Sequence, residues 1–367
     1  MSMLSKSRRL RPTPFSQGVE AQGVKAYTVY NRMLLPTVFE SVEADYRHLK
    51  DHVQVWDVSV ERQVELVGPD AFRLMRRLTP RNLANMQDDQ CYYVPIVDQY
   101  GGMLNDPVAI KHRDDRWWIS IADSDLLFWV KGLALGEGLD VKVFEPDVSP
   151  LAVQGPKAME LMARVFGDQV RDIRFFRHKR LTFKDTSFVV ARSGYSKQGG
   201  YEIYLEDSSY GMALWDALFD AGADLNVRPG CPNLIERIEG GLLSYGNDMT
   251  MENSPLECGL GRFCNAAEGT YYIGKEALEA EIASGPKQQI RAISIAGDAV
   301  TPPAAAWPLM KNGMRVGQVT SAAWSPDFQT NVAIGMVEAD HWDAGTLLDV
   351  ETSEGIRKAE VQDGFWL

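Results

Sequence analysis

Apolar positions along the chain fall into a strand rhythm and a helix rhythm, and one combination of the two occurs twice. From Arg62 to Leu78, RQVELVGPDAFRLMRRL gives a short apolar run, a Gly-Pro pair and then apolar residues at helical spacing. From Ser149 to Phe166, SPLAVQGPKAMELMARVF repeats that order. Leu74, Met75 and Leu78 form one stripe, and Met159, Met162, Ala163 and Phe166 form the other, as expected of helices that bury one face. Proline at the first helical position loses nothing, because that N–H has no intrahelical partner. A repeated strand–turn–helix unit predicts a pseudo-symmetric N-terminal region.

Strand-like runs lie between and after the copies. Cys91 to Val97 is apolar, Gly101-Gly102 marks a hairpin turn, Met103 to Ile110 returns, and Arg116 to Ala122 is a further strand. Asp123 to Gly136 reads as a helix. Phe188–Arg192 and Tyr201–Leu205 read as strands around a glycine-rich loop. Pro232 to Gly246 reads as a helix with Leu234, Ile235, Ile238 and Leu242 on one face. A polar stretch, Glu279 to Lys287, then ends in Gly285-Pro286. Beyond it, short strands at Ile290–Ile295, Val316–Thr320, Val332–Val337, Leu347–Glu351 and Arg357–Val361 suggest a small β-barrel. The expected fold class is therefore α+β, with one region over residues 1–280 and a barrel domain over 286–367.

Composition narrows the functional classes. The chain has 367 residues, enough for two or three cores. Its net charge of −12 opposes phosphate backbones, so a small-molecule partner is expected and nucleic acid is not. The basic start, MSMLSKSRRLRPTP, leads into no apolar signal core. No run approaches the ~18 apolar residues of a membrane span. The expected location is the cytoplasm, and a homodimer is compatible with this. Cys91, Cys231, Cys258 and Cys264 match no zinc spacing and read as buried reduced thiols. His48 and His52 share a helix face without a third ligand nearby, so no metal site is expected. The dinucleotide fingerprint and the phosphate loop are absent, and Ser244 lacks the preceding glycine of a nucleophile elbow. These absences disfavour a dehydrogenase, a kinase or a serine hydrolase.

Three places carry candidate chemistry. Asp106 follows the glycine hairpin and precedes Pro107. Partial burial there would raise its pKa and suit it to orient or deprotonate an amine; the alternative is a turn-capping Asp. Glu202 sits in an apolar strand, where an inward-facing acid needs hydrogen-bond partners; the alternative is a solvent-facing side chain. Arg237 and Tyr245 would lie within about 80° of each other on a continuous helix and so line one site; the alternative for Arg237 is a surface ion pair with a neighbouring Glu.

These places, in this order, resemble the glycine-cleavage T-protein (aminomethyltransferase) superfamily. The carrying segments are GGMLND (101–106), RSGYSKQGGYE (192–202), RIEGGLLSYGND (237–248), SPLECGLGRFC (254–264), YIGKEAL (272–278) and WDVSVERQVELVGPDA (56–71). The resemblance implies a three-lobed fold closed by a C-terminal barrel, with tetrahydrofolate as one-carbon acceptor. It places Asp106 at the catalytic aspartate near folate N5. Tyr93 and Val108 fall on folate-lining positions, Glu202 on the carboxylate that hydrogen-bonds the pterin, and Arg237 and Tyr245 on further folate contacts.

Two departures are informative. Asn105 stands where the family has the first acid of an Asp-Asp pair, and Asn233 where an Arg is common, which argues against a lipoyl-linked substrate. TPFSQGVEAQGVKAYTVYNRMLLP, QCYYVP, GGMLNDPVA, SGYSKQGGYEIY and GCPNLIER resemble the branch that demethylates dimethylsulfoniopropionate. A sulfonium needs aromatic faces, for which Tyr30, Trp56, Phe176 and Tyr195 are candidates; its carboxylate needs a cation, Lys197 or Arg192. Alternatives are another methyl donor, such as betaine, dimethylglycine or a methyl ether, or a non-catalytic folate-binding iron–sulfur assembly factor. The last carries a cysteine where this chain has Tyr271. A fused flavin oxidase is disfavoured by the length of the chain.

Overall fold

In a computed structural model, residues 7–367 are described, and they pack as two compact units that interleave along the chain. One takes the chain to Phe72, then Met86–Tyr92 and Val108–Asn233. The other takes Arg73–Asn85, Tyr93–Pro107 and Leu234–Leu367.

The first repeat runs α1 (Val42–Asp51), β1 (Val53–Asp57), β2 (Gln63–Val67), α2 (Ala71–Leu78), β3 (Cys91–Tyr93), β4 (Val108–Arg113) and β5 (Arg116–Ser120). The second runs α3 (Leu126–Gly136), β6 (Lys142–Phe144), β7 (Ser149–Gln154), α4 (Ala158–Phe166), β8 (His178–Phe183), β9 (Thr186–Ala191) and β10 (Gly200–Leu205). After these come α5 (Gly211–Ala221) and β11 (Val227–Gly230). The sheets are ordered β6-β2-β5-β4-β3 and β8-β9-β10-β7-β1-β11. Each repeat thus lends its first strand to the other: β1 pairs antiparallel with β7, and β6 with β2. The duplication read from the sequence is present, in strand-exchanged form.

The Gly-Pro pairs differ in detail from expectation. The helices begin at Ala71 and Ala158, two residues after each proline, so Pro69 and Pro156 belong to the turn. The glycines are the constrained members. Gly68 (φ +149°) and Gly155 (φ +115°) each lie where a Cβ would stand 2.4 Å from a backbone oxygen, that of Asp140 and His52 respectively. Those oxygens sit just ahead of the exchanged strands β6 and β1. The α2 stripe of Leu74, Met75 and Leu78 is fully buried.

Strand alternation divides the core of this unit. Tyr201 and Ile203 of β10, with Phe188 and Val190 of β9, face the cluster that includes Leu161, Met162, Leu214 and Trp215. Tyr204, Val189 and Ala191 point the other way and meet Ile110 and Trp118 of the partner sheet. Glu202 shares the second face by its parity with Tyr204.

Three sequence expectations change. The run Cys91 to Val97 is cut at Pro95 and the return strand at Pro107, because proline supplies no ladder donor. The expected helix over 232–246 is only Leu234–Glu239. It stops at Gly240-Gly241, where Gly241 is left-handed (φ +63°) and packs under Phe365. The C-terminal strands close a six-stranded barrel: β12 (Gln288–Ile295), β13 (Trp307–Lys311), β14 (Met314–Ser325), β15 (Thr330–Glu338), β16 (Leu347–Thr352) and β17 (Gly355–Val361), in the order β12-β15-β14-β13-β16-β17. Strand β13, which contains Pro308, was not legible in the hydropathy pattern.

Gly155→Ala is expected to lower stability by about 3 kcal/mol, through both positive-φ strain and the clash with the His52 oxygen. Gly167→Ala, at φ +84° with open space around it, should cost only about 1 kcal/mol. Urea denaturation of the two variants measures the difference.

Candidate functional site

Asp106 is placed by a short hairpin, Ile96–Val97 against Met103–Asn105. Its turn is held by Asp98, whose Oδ1 accepts from the N–H of Tyr100 (2.8 Å) and Gly102 (2.9 Å). At the open end, Val94 N donates to Pro107 O at 2.9 Å. This bond sets Tyr93 opposite Asp106, and the Tyr93 hydroxyl donates to Asp106 Oδ2 at 2.8 Å. Asp106 Oδ1 is sealed from solvent and accepts no hydrogen bond from the described residues. Burial pushes the carboxyl up to about 7, against the lowering effect of the Tyr93 bond. The acid expected from sequence is therefore half-sequestered, with one oxygen fixed and the other without a donor.

The same unit holds further candidates among aromatic side chains and a buried ion pair. Phe263 meets the Tyr93 ring edge-on at 5.2 Å, and the Arg81 guanidinium lies 4.8 Å from the Phe263 ring centre. Tyr245 donates to Met103 O at 2.9 Å, and burial, with the charges of Asp106 and Asp98, raises its hydroxyl to about 12. Tyr245 is not on the Arg237 helix, so the helical-wheel argument for pairing them fails. Arg237 instead makes a buried ion pair with Asp248 Oδ2 (2.8 Å) and donates to Ser321 Oγ (2.6 Å). Asp248 Oδ1 accepts from Thr320 (2.7 Å) and Ser321 (2.6 Å). The expected alternative of a surface pair with a Glu is replaced by this internal network. Asp248 lay inside the quoted motif, but its barrel partners are far away in sequence and gave no signal.

The first unit holds the other candidates. Glu202 is buried, at 6% exposure, in register with Ala152 and Ala191 on its two sides. Its Oε2 accepts from the Ser193 hydroxyl and from Tyr204 (3.4 Å). Burial raises its pKa and both donors oppose that rise. The glycine-rich loop before it is clasped by Gln154, which donates to the backbone oxygens of Ser193 (3.1 Å) and Tyr201 (3.3 Å). Val108 and Phe176 pack on the inter-sheet cluster of Cys91, Trp118 and Tyr204. Phe176 is left-handed (φ +56°), and its N–H donates to Arg192 O at 2.9 Å.

The proposed aromatic cage is not upheld at every member. Trp56 is 1% exposed and donates its indole N–H to Gln54 Oε1 at 2.8 Å, which makes it a core residue. Tyr30 is half-buried at the end of the hairpin Ala26–Tyr30/Met33–Val38. Tyr195 is half-buried and Lys197 exposed in the loop between β9 and β10. Arg192 donates to Ile173 O at 3.3 Å. His48 is buried, with Nε2 2.9 Å from Asn226 O and Nδ1 3.3 Å from Gln54 Nε2, so both ring nitrogens are engaged. Cys91, Cys231 and Cys258 are buried and Cys264 half-buried, all as free thiols. Among the described residues, no helix is long and apolar enough to cross a membrane.

The carboxyl of Asp106 titrates higher in the folded chain than the ordinary 3.8. Its ionisation therefore opposes folding increasingly as pH rises from about 4 through about 7. Asp106→Asn should stabilise the protein at pH 8, on the order of 2 kcal/mol after allowance for its partial exposure, and leave stability unchanged at pH 4. Denaturant midpoints at the two pH values check this.

Known proteins supply the context. The family model described as the GCVT N-terminal domain matches residues 15–268, and that of the glycine cleavage T-protein C-terminal barrel domain matches 289–365. Dimethylsulfoniopropionate demethylase DmdA of Ruegeria pomeroyi is 63% identical over 366 residues, covering 100% of both chains. An aminomethyltransferase of Synechococcus sp. is 30% identical, covering 85% of this chain and 87% of its own. The crystal structure of the glycine cleavage system aminomethyltransferase T from Bartonella henselae superimposes with a TM-score of 0.87 at 22% identity, over 98% of each chain, and shares the fold. With both its N-terminal region and its barrel matched, this chain belongs to the glycine cleavage T-protein family.

Proposed function

We propose that the protein transfers a methyl group from dimethylsulfoniopropionate to tetrahydrofolate, giving 3-(methylthio)propanoate and 5-methyltetrahydrofolate. The carrying observation is Asp106, with Oδ2 held by Tyr93 and a sealed Oδ1 that has no donor. An N–H group is the partner such an oxygen lacks, and N5–H of tetrahydrofolate is one. The choice of donor rests on the full-length 63% identity to a dimethylsulfoniopropionate demethylase.

The chemistry asks little of the protein beyond placement. A sulfonium methyl is already activated, because sulfur leaves as a neutral thioether. The S–CH3 electron pair stays on sulfur, and the N5 lone pair forms the new N–CH3 bond. Alignment of the two centres can supply as much as ~7–11 kcal/mol. Asp106 accepts the N5–H hydrogen bond, which orients the lone pair, and takes up the proton, directly or through water. Positive charge moves from sulfur to nitrogen in this step, and a nearby carboxylate favours that movement. Tyr93 keeps Asp106 in one rotamer. Glu202, Val108, Arg237 and Tyr245 are assigned to folate binding, and Phe176, Tyr30, Tyr195 and Lys197 to the methyl donor.

Incubation with tetrahydrofolate and dimethylsulfoniopropionate, followed by mass detection, should yield both products. Betaine, dimethylglycine and an aryl methyl ether serve as competing donors, and transfer from one of them alone would overturn the assignment. Because Asp106 accepts only when ionised, kcat/KM should rise with pH through about 7. Asp106→Asn should lose about a hundredfold or more in kcat, keep folate affinity and lose that inflection. Native turnover in this variant would remove Asp106 from the mechanism.

A further inference from the structure

Glu202 ends a chain of polar side chains buried between the two sheets of the first unit. Gln63 on β2 donates through Nε2 to Ser120 Oγ on β5 at 2.9 Å. Ser120 lies near the Tyr204 hydroxyl and acts on it as a polar neighbour that lowers its pKa against the larger rise from burial. Tyr204 donates to Glu202 Oε2 at 3.4 Å. Tyr204 spends its one proton on Glu202, and Gln63 donates to Ser120 behind it. Both donors, Gln63 and Tyr204, are thus turned toward the carboxylate side. Ser193, at the start of the glycine-rich loop, donates to the same Oε2 from the other side. Gln63, Ser120, Ser193 and Tyr204 are all buried.

We propose that Ser193 and Tyr204 are positioning residues that hold Glu202 as an ionised carboxylate, with Oε2 saturated and Oε1 left to accept N–H donors from the pterin edge. This rests on the assignment of Glu202 to folate binding and deepens it. Two donors on one oxygen fix the rotamer and offset the burial that favours the neutral acid. A neutral Glu202 would carry a proton toward ligand N–H groups and repel them. The titratable groups that act on Glu202 are Cys91 on β3 and Tyr204 on its own strand, and His112 on β4 lies against Trp118 of the same interior. Burial pushes the Cys91 thiol and the Tyr204 hydroxyl far up, and holds His112 down at about 3. Glu61 adds a further negative charge that acts on Tyr204. Of these groups Cys91, Tyr204 and His112 keep their neutral forms at physiological pH, so Glu202 is the one whose charge the two donors can govern.

The test is tetrahydrofolate affinity by titration calorimetry from pH 5.5 to 8.5. It compares the unsubstituted protein with Ser193→Ala, Tyr204→Phe and Glu202→Gln, with thermal midpoints and kcat at saturating folate measured alongside. Loss of a donor raises the Glu202 pKa further, so binding should fail at higher pH than in the parent. The expected result is about tenfold weaker binding at pH 7 for each hydroxyl variant, recovering toward pH 8.5, with kcat within about twofold. Glu202→Gln should bind weakly at every pH. A purely structural role would lower the thermal midpoint and leave the pH midpoint of binding in place, and that outcome overturns the proposal. Native affinity in Glu202→Gln would overturn both the proposal and the assignment of Glu202. Native pH behaviour in the hydroxyl variants alone would overturn only the proposal. If one variant does not fold, the other decides the question unaided.

Discussion

Two backbone approaches that only glycine permits govern the architecture of the first unit. At Gly68 and at Gly155 the chain passes so close to a neighbouring carbonyl, that of Asp140 or His52, that any side chain would collide. Each carbonyl leads into the strand that crosses to the other repeat: β6 reaches β2, and β1 reaches β7. The exchange makes each sheet incomplete without the opposite repeat. Burial on the shared faces is then cooperative, because Ile110 and Trp118 from one sheet pack on Val189, Ala191 and Tyr204 from the other. A duplication that merely placed two copies side by side would not create that interior.

The first repeat departs from the second at the segment that carries Asp106. In the second repeat, β8 turns directly into β9 at Lys184-Asp185. In the first, the chain between β3 and β4 is lengthened by the hairpin that ends at Asn105-Asp106. The Val94–Pro107 hydrogen bond closes this excursion at its base. Asp106 therefore owes its position to an insertion, while Glu202 belongs to a strand that exists in both repeats, at a position matched by a residue of β5. One acid comes from the breach in the symmetry and the other from a decorated copy of the shared pattern.

Legibility in the sequence followed the range of the interactions. The Gly-Pro repeats, the glycine hairpin and the barrel strands were readable because their signals are local and periodic. The helix expected over 232–246 failed because four well-spaced apolar residues outweighed Gly240-Gly241, where Gly241 is left-handed and packs under Phe365, remote in sequence. Arg237 was singled out, yet its partners on β14 were invisible, since no local pattern links Asp248 to Thr320 and Ser321. Trp56 carried the right chemistry for a cationic substrate, but it packs with Leu49, Val58 and Ala152 and donates to Gln54, and the Ala152 contact across the sheet has no signal in the sequence. Ser193 and Tyr204 were quoted within motifs without a role, because a hydroxyl reveals its acceptor only when the strands are paired.

The two buried acids are supplied differently, and the difference fits different tasks. Asp106 has one hydroxyl donor on one oxygen and none on the other, so burial prevails and its pKa lies near neutrality. An acid in that condition gains a proton at little cost, as the proposed proton acceptor would have to. Glu202 has two hydroxyls on one oxygen, one of them backed by Ser120 and Gln63. Those donors oppose the rise that burial imposes, which suits the proposed role of accepting hydrogen bonds from the folate. The surroundings of paired titratable groups commonly separate their roles in this way. The physical difference between the two acids is the number of donors: each added hydroxyl lowers the cost of keeping a sequestered carboxyl ionised.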